Sequence, residues 1–258
     1  IEEINDETNL IMISHVNFRS GYVNDLKEIT EAAHRHGAMV LVDVSHSAGV
    51  IPIELDALGV DFAVGCGYKF LNGGPGAPAF LYVNHKHQNK VEQPLSGWMG
   101  HRSPFDFSAD YIPRPGIAQY QSGTPGIIGL SALDEAMTLW ADIDIQDVRR
   151  KSSALTNLFI ENVQNADELR DLEIVSPLDA DTRGSQVSLS HPEGYQIVQA
   201  MIASGVICDY REPEVLRFGI APLYNSFEDI IRAVDLMKDI VKNKRYRDPA
   251  FGDRNDVT

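Results

Sequence analysis

Met39-Val40-Leu41-Val42-Asp43 is a run of four apolar residues that ends on a carboxylate. A short, continuous apolar run predicts a strand that flanking helices bury on both faces. Similar runs occupy residues 10–13, 61–66 and 79–83. Between the run at residues 10–13 and the run at residues 39–43, apolar residues recur at helical spacing from the predicted N-cap Asn24 to Gly37. The first part of the chain is therefore predicted to be an α/β unit with a mainly parallel sheet and flanking helices.

The second half of the chain has a different order of elements. Residues 88–121 are rich in proline and glycine and predict a long, functional loop region. Beyond it, helices are predicted at residues 127–140, 151–163, 195–204 and 227–242, and strands at 186–190, 206–209 and 215–219. We expect the domains to be residues 1–145, a smaller α+β C-terminal domain at residues 146–246, and a tail at residues 247–258.

Composition narrows the classes of partner. The chain has 258 residues and a formal net charge of −15, which argues against binding to nucleic acid or to anionic membranes. No apolar run approaches the roughly 20 residues that span a bilayer, so a soluble protein is expected. The two cysteines lack C-x-x-C spacing, and His34 and His36 point in different directions on a helix, so no metal site is predicted. The cysteine usage indicates a cytoplasmic location.

Two strand ends carry residues that suit cofactor chemistry. Asp43 ends the strand quoted above, and His46 follows three residues later. Asp43 could cap a helix that begins near Ser47, or it could pair with a buried cation such as a protonated pyridine nitrogen. Lys69 follows the next apolar run, in Gly67-Tyr68-Lys69-Phe70-Leu71-Asn72. It could be a solvated turn residue, or a desolvated amine that acts as nucleophile and base.

The order and spacing of Asp43 and Lys69 favour the functional interpretation of each residue, a carboxylate that pairs with a buried cation and a desolvated, reactive amine. A carboxylate at one strand end and a lysine 26 residues later match the needs of pyridoxal phosphate (PLP), in which the acid holds the pyridine ring as an electron sink and the lysine carries the cofactor as a Schiff base. The glycine-rich run that follows lacks the ending of a nucleotide-binding P-loop. We therefore predict that PLP binds covalently to Lys69.

Nearly the whole chain resembles kynureninase, a PLP enzyme of the aspartate-aminotransferase fold type I. The motifs that carry the resemblance are distributed along the chain: His15-Val16-Asn17-Phe18-Arg19-Ser20-Gly21, residues 43–49 and 65–78, Gln93-Pro94-Leu95-Ser96-Gly97-Trp98-Met99-Gly100-His101, Gly123-Thr124-Pro125, residues 191–195 and 209–213, and Leu216-Arg217-Phe218-Gly219. Related desulfurases and class V aminotransferases usually have histidine where this chain has Tyr68.

The resemblance implies roles for individual residues. Asp43 would pair with the pyridine nitrogen, His46 would lie beside the cofactor, and Tyr68, Trp98 and Thr124 would bind its phosphate. Without the resemblance, Trp98 would be interpreted as a buried anchor and Thr124 as a turn residue. Tyr68 would also be the general acid of the reaction. Arg217 would bind the substrate carboxylate, the alternative being a surface salt bridge.

The resemblance also implies the reaction: hydrolytic cleavage of L-kynurenine, or of 3-hydroxykynurenine, to anthranilate or 3-hydroxyanthranilate and L-alanine, in tryptophan catabolism and NAD biosynthesis. It implies a homodimer with shared active sites. The family has a substantial N-terminal portion that this sequence lacks, including a phosphate-binding loop and an aromatic residue that stacks on the cofactor. Two alternatives stay open: an inactive fragment or scaffold subunit that needs that portion, and another PLP lyase or desulfurase.

Overall fold

A computed structural model describes residues 1–90 and 92–254, which form two compact units. Of these described residues, the first unit contains those within 1–15, 25–48 and 53–142, and the second contains those within 16–24, 49–52 and 143–254. The helices and strands, in chain order, are β1 Leu10–Ser14, α1 Leu26–Arg35, β2 Met39–Asp43, β3 Phe62–Cys66, β4 Ala79–Val83, α2 Ile127–Leu139, α3 Ile145–Gln164, β5 Glu173–Ile174, β6 Gln186–Ser190, α4 Gly194–Ala203, β7 Asp209–Arg211, β8 Val215–Gly219 and α5 Phe227–Lys242.

The first unit is built on a four-stranded sheet in the order β1-β2-β3-β4. The pairs β1–β2 and β2–β3 are parallel, whereas β4 runs antiparallel to β3. One face of the sheet packs on α1, where Val40, Val42 and Ala63 meet Leu26 and Ala33 in a buried cluster. The predicted α/β class with a mainly parallel sheet is confirmed.

The opposite face of this sheet corrects the prediction that β1 is buried on both sides. Leu10 is 48% exposed and Met12 is 75% exposed, and Met39 at the start of β2 is also exposed. Side chains alternate between the two faces of a strand. Helix α1 covers the Ile11 face, while Leu10 and Met12 lie on the other face.

The second unit combines an antiparallel sheet, in the order β5-β6-β8-β7, with three helices. Its core joins α3, α4 and α5 to the sheet through residues such as Phe159, Met201, Leu216 and Met237. Helix α5 begins at a capping box, in which Ser226 and Asp229 bond reciprocally to each other's backbone N–H. The second unit has the α+β composition expected from the sequence, but its residue ranges make it as large as the first unit rather than smaller.

Several predicted boundaries were wrong for local reasons. The N-cap of α1 is Asp25, not Asn24, because the Asp25 carboxylate accepts a hydrogen bond from the Glu28 N–H. No helix begins near Ser47, where the chain forms turns instead. The strand predicted at 206–209 occurs at Asp209–Arg211, since the Val206 N–H bonds to the Met201 carbonyl and closes the end of α4.

The chain beyond α5 contains two short 3-10 helices, Arg245–Arg247 and Pro249–Phe251. The Tyr195 hydroxyl donates to the Asp253 carbonyl at 3.1 Å, and Arg254 pairs with Glu212. Of the predicted tail, residues 255–258 lie outside the described part of the chain. Within the described ranges, none of the helices has the length and apolar character required to cross a membrane.

Candidate active site

The carboxyl ends of β2 and β3 bring three predicted site residues to one edge of the sheet. Asp43 is the last residue of β2 and pairs with Val64 on β3. One oxygen of its carboxylate accepts a hydrogen bond from the Ser45 N–H at 2.7 Å. His46 lies in the turn that follows, and its Nε2 is 3.3 Å from the Lys69 Nζ. The structure therefore places the lysine and the histidine in contact beside the strand that carries the carboxylate.

A tight turn holds Lys69 in this position. The Asn72 N–H donates to the Lys69 carbonyl at 2.9 Å, and the Gly73 N–H donates to the Gly67 carbonyl at 2.9 Å. Asn72 has φ of 61°, in the left-handed region that asparagine tolerates better than most residues. The side chain of Lys69 is partly buried in this turn.

Helix α2 packs against this turn, which the sequence did not predict. A Cβ atom on Gly67 would lie 3.0 Å from a Leu133 methyl group, and a Cβ atom on Gly129 would lie 2.3 Å from the Gly76 carbonyl oxygen. The second distance is shorter than real Cβ contacts allow, so Gly129 is required for the approach of α2. A glycine inside an apolar helical pattern was the available signal.

Tyr68 precedes the lysine and faces outward in this structure. Its side chain is 52% exposed, and its ring centroid lies 5.4 Å from the Lys69 Nζ. This distance is within the range of a cation–π contact. The phenol is thus next to the amine and accessible to a ligand.

The segments that contain Trp98 and Thr124 meet at Gly97. A Cβ atom on Gly97 would lie 1.9 Å from the Ser122 carbonyl oxygen, so the two backbones touch only because residue 97 is glycine. Trp98 is 46% exposed and makes an edge contact with the Phe105 ring, so its interpretation as a buried anchor was wrong. Thr124 is exposed.

Arg217 lies on β8 in the second unit and is extensively hydrogen-bonded there. Its Nε and Nη2 donate to the two carboxylate oxygens of Asp209 at 2.9 and 2.5 Å. Its Nη1 donates to the Phe18 carbonyl at 2.9 Å. The Arg217 side chain is 11% exposed and that of Asp209 is 31% exposed, so the ion pair is partly buried.

Two buried polar residues of the first unit, His15 and Asp61, were not predicted from the sequence to have a role. His15 directly follows β1, and its backbone N–H donates to the Asp43 carbonyl at 2.9 Å, which places it at the same sheet edge as the candidate site. Asp61 precedes β3 and is only 2% exposed. Burial by itself raises the pKa of Asp61, but hydrogen bonds from Lys86, His34, His87 and the Val40 N–H outweigh it and hold that pKa well below its ordinary value.

The cysteines are placed where a mobile nucleophile is not expected. Cys66 is on β3 with its Sγ 4.0 Å from the Ser45 carbonyl. Cys208 is buried, and burial followed by the nearby Asp209 charge raises the pKa of its thiol to about 12. Across residues 1–90 and 92–254, no group of three or more His, Cys, Asp or Glu side chains is arranged to hold a metal ion.

Comparison with known proteins shows that the chain is similar to one family of enzymes. Residues 148–237 match the family model described as the kynureninase C-terminal domain. The whole chain aligns with kynureninases, at 46% identity for the protein of Burkholderia mallei (strain SAVP1) and 42% for that of Pseudomonas fluorescens. The chain is therefore similar to kynureninases over its whole length. It spans 62% of the length of these two proteins, so the resemblance predicted from its motifs is confirmed for that part of the family sequence.

Solved structures confirm the fold type. Apo cysteine desulfurase from Thermococcus onnurineus NA1 matches with a TM-score of 0.77 at 21% identity, over 93% of this chain and 65% of its own. The cystine C–S lyase C-DES, in complex with its product cysteine persulfide, matches with a TM-score of 0.78 at 20% identity, over 92% of this chain and 63% of its own. A C-DES variant with glycine covalently linked to its PLP cofactor has the same TM-score. At these identities the similarity establishes the PLP-enzyme fold alone.

Proposed function

We propose that this chain takes part in the hydrolytic cleavage of L-kynurenine or 3-hydroxykynurenine, with PLP as cofactor, to give the corresponding anthranilate and L-alanine. The observation that carries the proposal is the contact between the Lys69 Nζ and the His46 Nε2 at 3.3 Å, beside the strand-end carboxylate of Asp43. The 46% identity to kynureninase over the whole chain supports the choice of substrate.

The chemistry of the side chains at this sheet edge fits PLP. Asp43 uses one carboxylate oxygen to accept from the Ser45 N–H, and its other oxygen has no hydrogen-bond partner within the described residues. That oxygen can accept from a protonated pyridine nitrogen. Lys69 provides the amine that carries the cofactor. Tyr68, Trp98 and Thr124 each offer an O–H or N–H donor of the kind that binds a phosphate.

The residues of the chain then have defined tasks. When bound, PLP supplies the electron sink that makes the substrate α-carbon acidic. Lys69 takes the α-proton at its Nζ, and water adds to the substrate γ-carbonyl carbon. As the bond between the β and γ carbons breaks, the Tyr68 hydroxyl donates a proton to the β-carbon, which becomes the methyl group of alanine, and the Lys69 Nζ returns a proton to the α-carbon. Arg217 is proposed to bind the substrate carboxylate.

The alternative of a desulfurase has less support. That chemistry needs a mobile cysteine thiolate, whereas Cys66 lies in a strand and the Cys208 thiol is buried with a raised pKa. A specific observation favours the alternative that the chain works only together with further polypeptide. The apolar face of β1 is exposed, with Met12 75% exposed, and exposed apolar patches commonly mark a surface that further polypeptide covers. A homodimer and a cytoplasmic location are also proposals, drawn from the family resemblance.

The test is to add PLP to the purified chain and to its Lys69→Ala variant. We expect a visible absorbance band in the unmodified chain, and a borohydride-stabilised PLP adduct that peptide mass spectrometry locates on Lys69. Lys69→Ala should lose both, and Lys27→Ala, which removes an exposed lysine of α1, should lose neither.

Turnover then separates the candidate functions. Release of anthranilate from kynurenine supports the proposal, and release of sulfide from cysteine would support a desulfurase. A PLP adduct at Lys69 without any turnover would support the alternative in which this chain is active only together with further polypeptide. An adduct at another lysine would refute the assignment of the site.

A further inference from the structure

Arg217 is held by Asp209 from the neighbouring strand. In the antiparallel ladder of β7 and β8 these two residues pair directly, so the backbone places their side chains together. The carboxylate takes the Nε and Nη2 edge of the guanidinium in a two-point contact, at 2.9 and 2.5 Å. Such forked contacts fix the plane of a guanidinium as well as its position.

A third contact fixes the other side of the guanidinium. The Nη1 donates to the Phe18 carbonyl, which also accepts from the Gln186 Nε2 at 3.0 Å. The segment after Phe18 is anchored to the same unit, because the Ser188 hydroxyl donates to the Arg19 carbonyl at 2.6 Å. The acceptor of the third contact is therefore itself held in place by β6.

This arrangement leaves a defined pair of donors. A guanidinium has five N–H groups, and the contacts to Asp209 and Phe18 use three of them within residues 1–90 and 92–254. One N–H stays available on each terminal nitrogen. We propose that Asp209 is a positioning residue, which fixes Arg217 so that these two N–H groups face the carboxylate of the amino-acid substrate; this rests on the proposed function of Arg217.

The proposal predicts the sign of a substitution. Asp209 is an anion, and a carboxylate that merely competed for Arg217 would weaken substrate binding. Its removal would then lower the KM. If Asp209 positions the guanidinium, its removal frees the side chain to take other rotamers, and the KM rises although a repelling charge is gone. The two roles therefore move the KM in opposite directions.

The kinetic test compares Asp209→Asn with the unmodified chain. We expect the KM for L-kynurenine to rise roughly 10- to 100-fold, with a smaller change in kcat, as for the loss of a contact made in both ground and transition states. Asp209→Glu, which keeps the charge, should recover part of the loss. Asp239→Asn is the matched control, since it removes the carboxylate of the exposed Arg245 ion pair in the same unit.

A nuclear magnetic resonance test works without turnover. The Nε–H signal of Arg217, assigned by its absence in Arg217→Lys, should be protected from exchange in the unmodified chain and in Asp239→Asn, and lose that protection in Asp209→Asn. Titration with L-kynurenine, with and without PLP, should shift the signal, and the decarboxylated amine analogue should not.

The outcomes separate this inference from the proposed function. In a chain without turnover, a signal that responds to L-kynurenine and loses its protection in Asp209→Asn keeps Asp209 as a positioning residue, although the chain alone then lacks the proposed activity. Turnover with an unchanged or lowered KM in Asp209→Asn overturns the inference and keeps the activity. An Arg217 signal that ignores L-kynurenine, or that shifts equally with the amine analogue, also overturns the inference.

Discussion

Replacement of Asp61 by Asn should strongly destabilise the first unit. The two oxygens of this buried carboxylate accept four hydrogen bonds: one takes the Val40 N–H at 2.8 Å and the His34 Nε2 at 2.9 Å, and the other takes the Lys86 Nζ at 2.6 Å and the His87 Nε2 at 2.7 Å. The amide of asparagine is similar in shape but has a single acceptor oxygen. Two donors therefore lose their acceptor.

The structure sets the size of the effect. A hydrogen bond to a charged group contributes roughly 1.5–3 kcal/mol. Lys86 is partly exposed and also donates to the Gly59 carbonyl, so its ammonium group can turn toward solvent. The loss of its hydrogen bond to Asp61 should therefore cost a free energy at the low end of this range. The two lost hydrogen bonds, with that of Lys86 at the low end, should together lower the free energy of unfolding of Asp61→Asn by about 3–4.5 kcal/mol. Asp134→Asn, on the exposed side of α2, should change it by about 0.5 kcal/mol or less.

The assay is urea unfolding followed by tryptophan fluorescence. Both tryptophans of the chain, Trp98 and Trp140, belong to the first unit, so the signal reports that unit even if the two units unfold separately. Equal unfolding midpoints for Asp61→Asn and Asp134→Asn at pH 7 would refute the reasoning.

The same variant has a predicted pH dependence. The pKa of Asp61 in the folded chain is held below its ordinary value of 3.8, so the unfolded chain takes up the proton first as the pH falls. The stabilisation from the ionised carboxylate is thus complete above pH 3.8 and is lost progressively below it. The difference in stability between the unmodified chain and Asp61→Asn should shrink over that range, and a difference that grows on acidification would contradict the assignment.

Two further substitutions test local geometry. Gly97→Ala should push the chain away from the Ser122 carbonyl, which should lower the free energy of unfolding by about 1–3 kcal/mol and weaken PLP retention measured by absorbance. Gly123→Ala is the control, because its Cβ position is surrounded by open space, and it should change neither the stability nor the PLP retention. Ser226→Ala removes the hydrogen bond to the Asp229 N–H at the start of α5 and should lower the free energy of unfolding by about 1 kcal/mol. The assay is unfolding followed by far-ultraviolet circular dichroism, and an unchanged stability would mean that the capping box is not formed in solution.

The candidate site shows which structural features could be predicted from the sequence and which could not. Asp43 and Lys69 were assigned to strand ends because the apolar runs before them are local signals, and the carboxyl ends of parallel strands share one edge of a sheet. The structure confirms that edge through the contact of Lys69 with His46. The packing of α2 on the lysine turn was not predicted, because it depends on the close approach of Gly129 to Gly76, which are far apart in sequence.

The sequence by itself determined the positions of most strands and helices, including α5 at Phe227–Lys242, and the two residues around which the cofactor chemistry is proposed. Apolar periodicity and end caps encode these features within a few residues. Only the tertiary structure decided that β4 runs antiparallel, that Asp61 collects four donors, and that Asp209 faces Arg217. Each of these depends on which strand becomes whose neighbour, and strand pairing joins residues whose separation in sequence has no local signature.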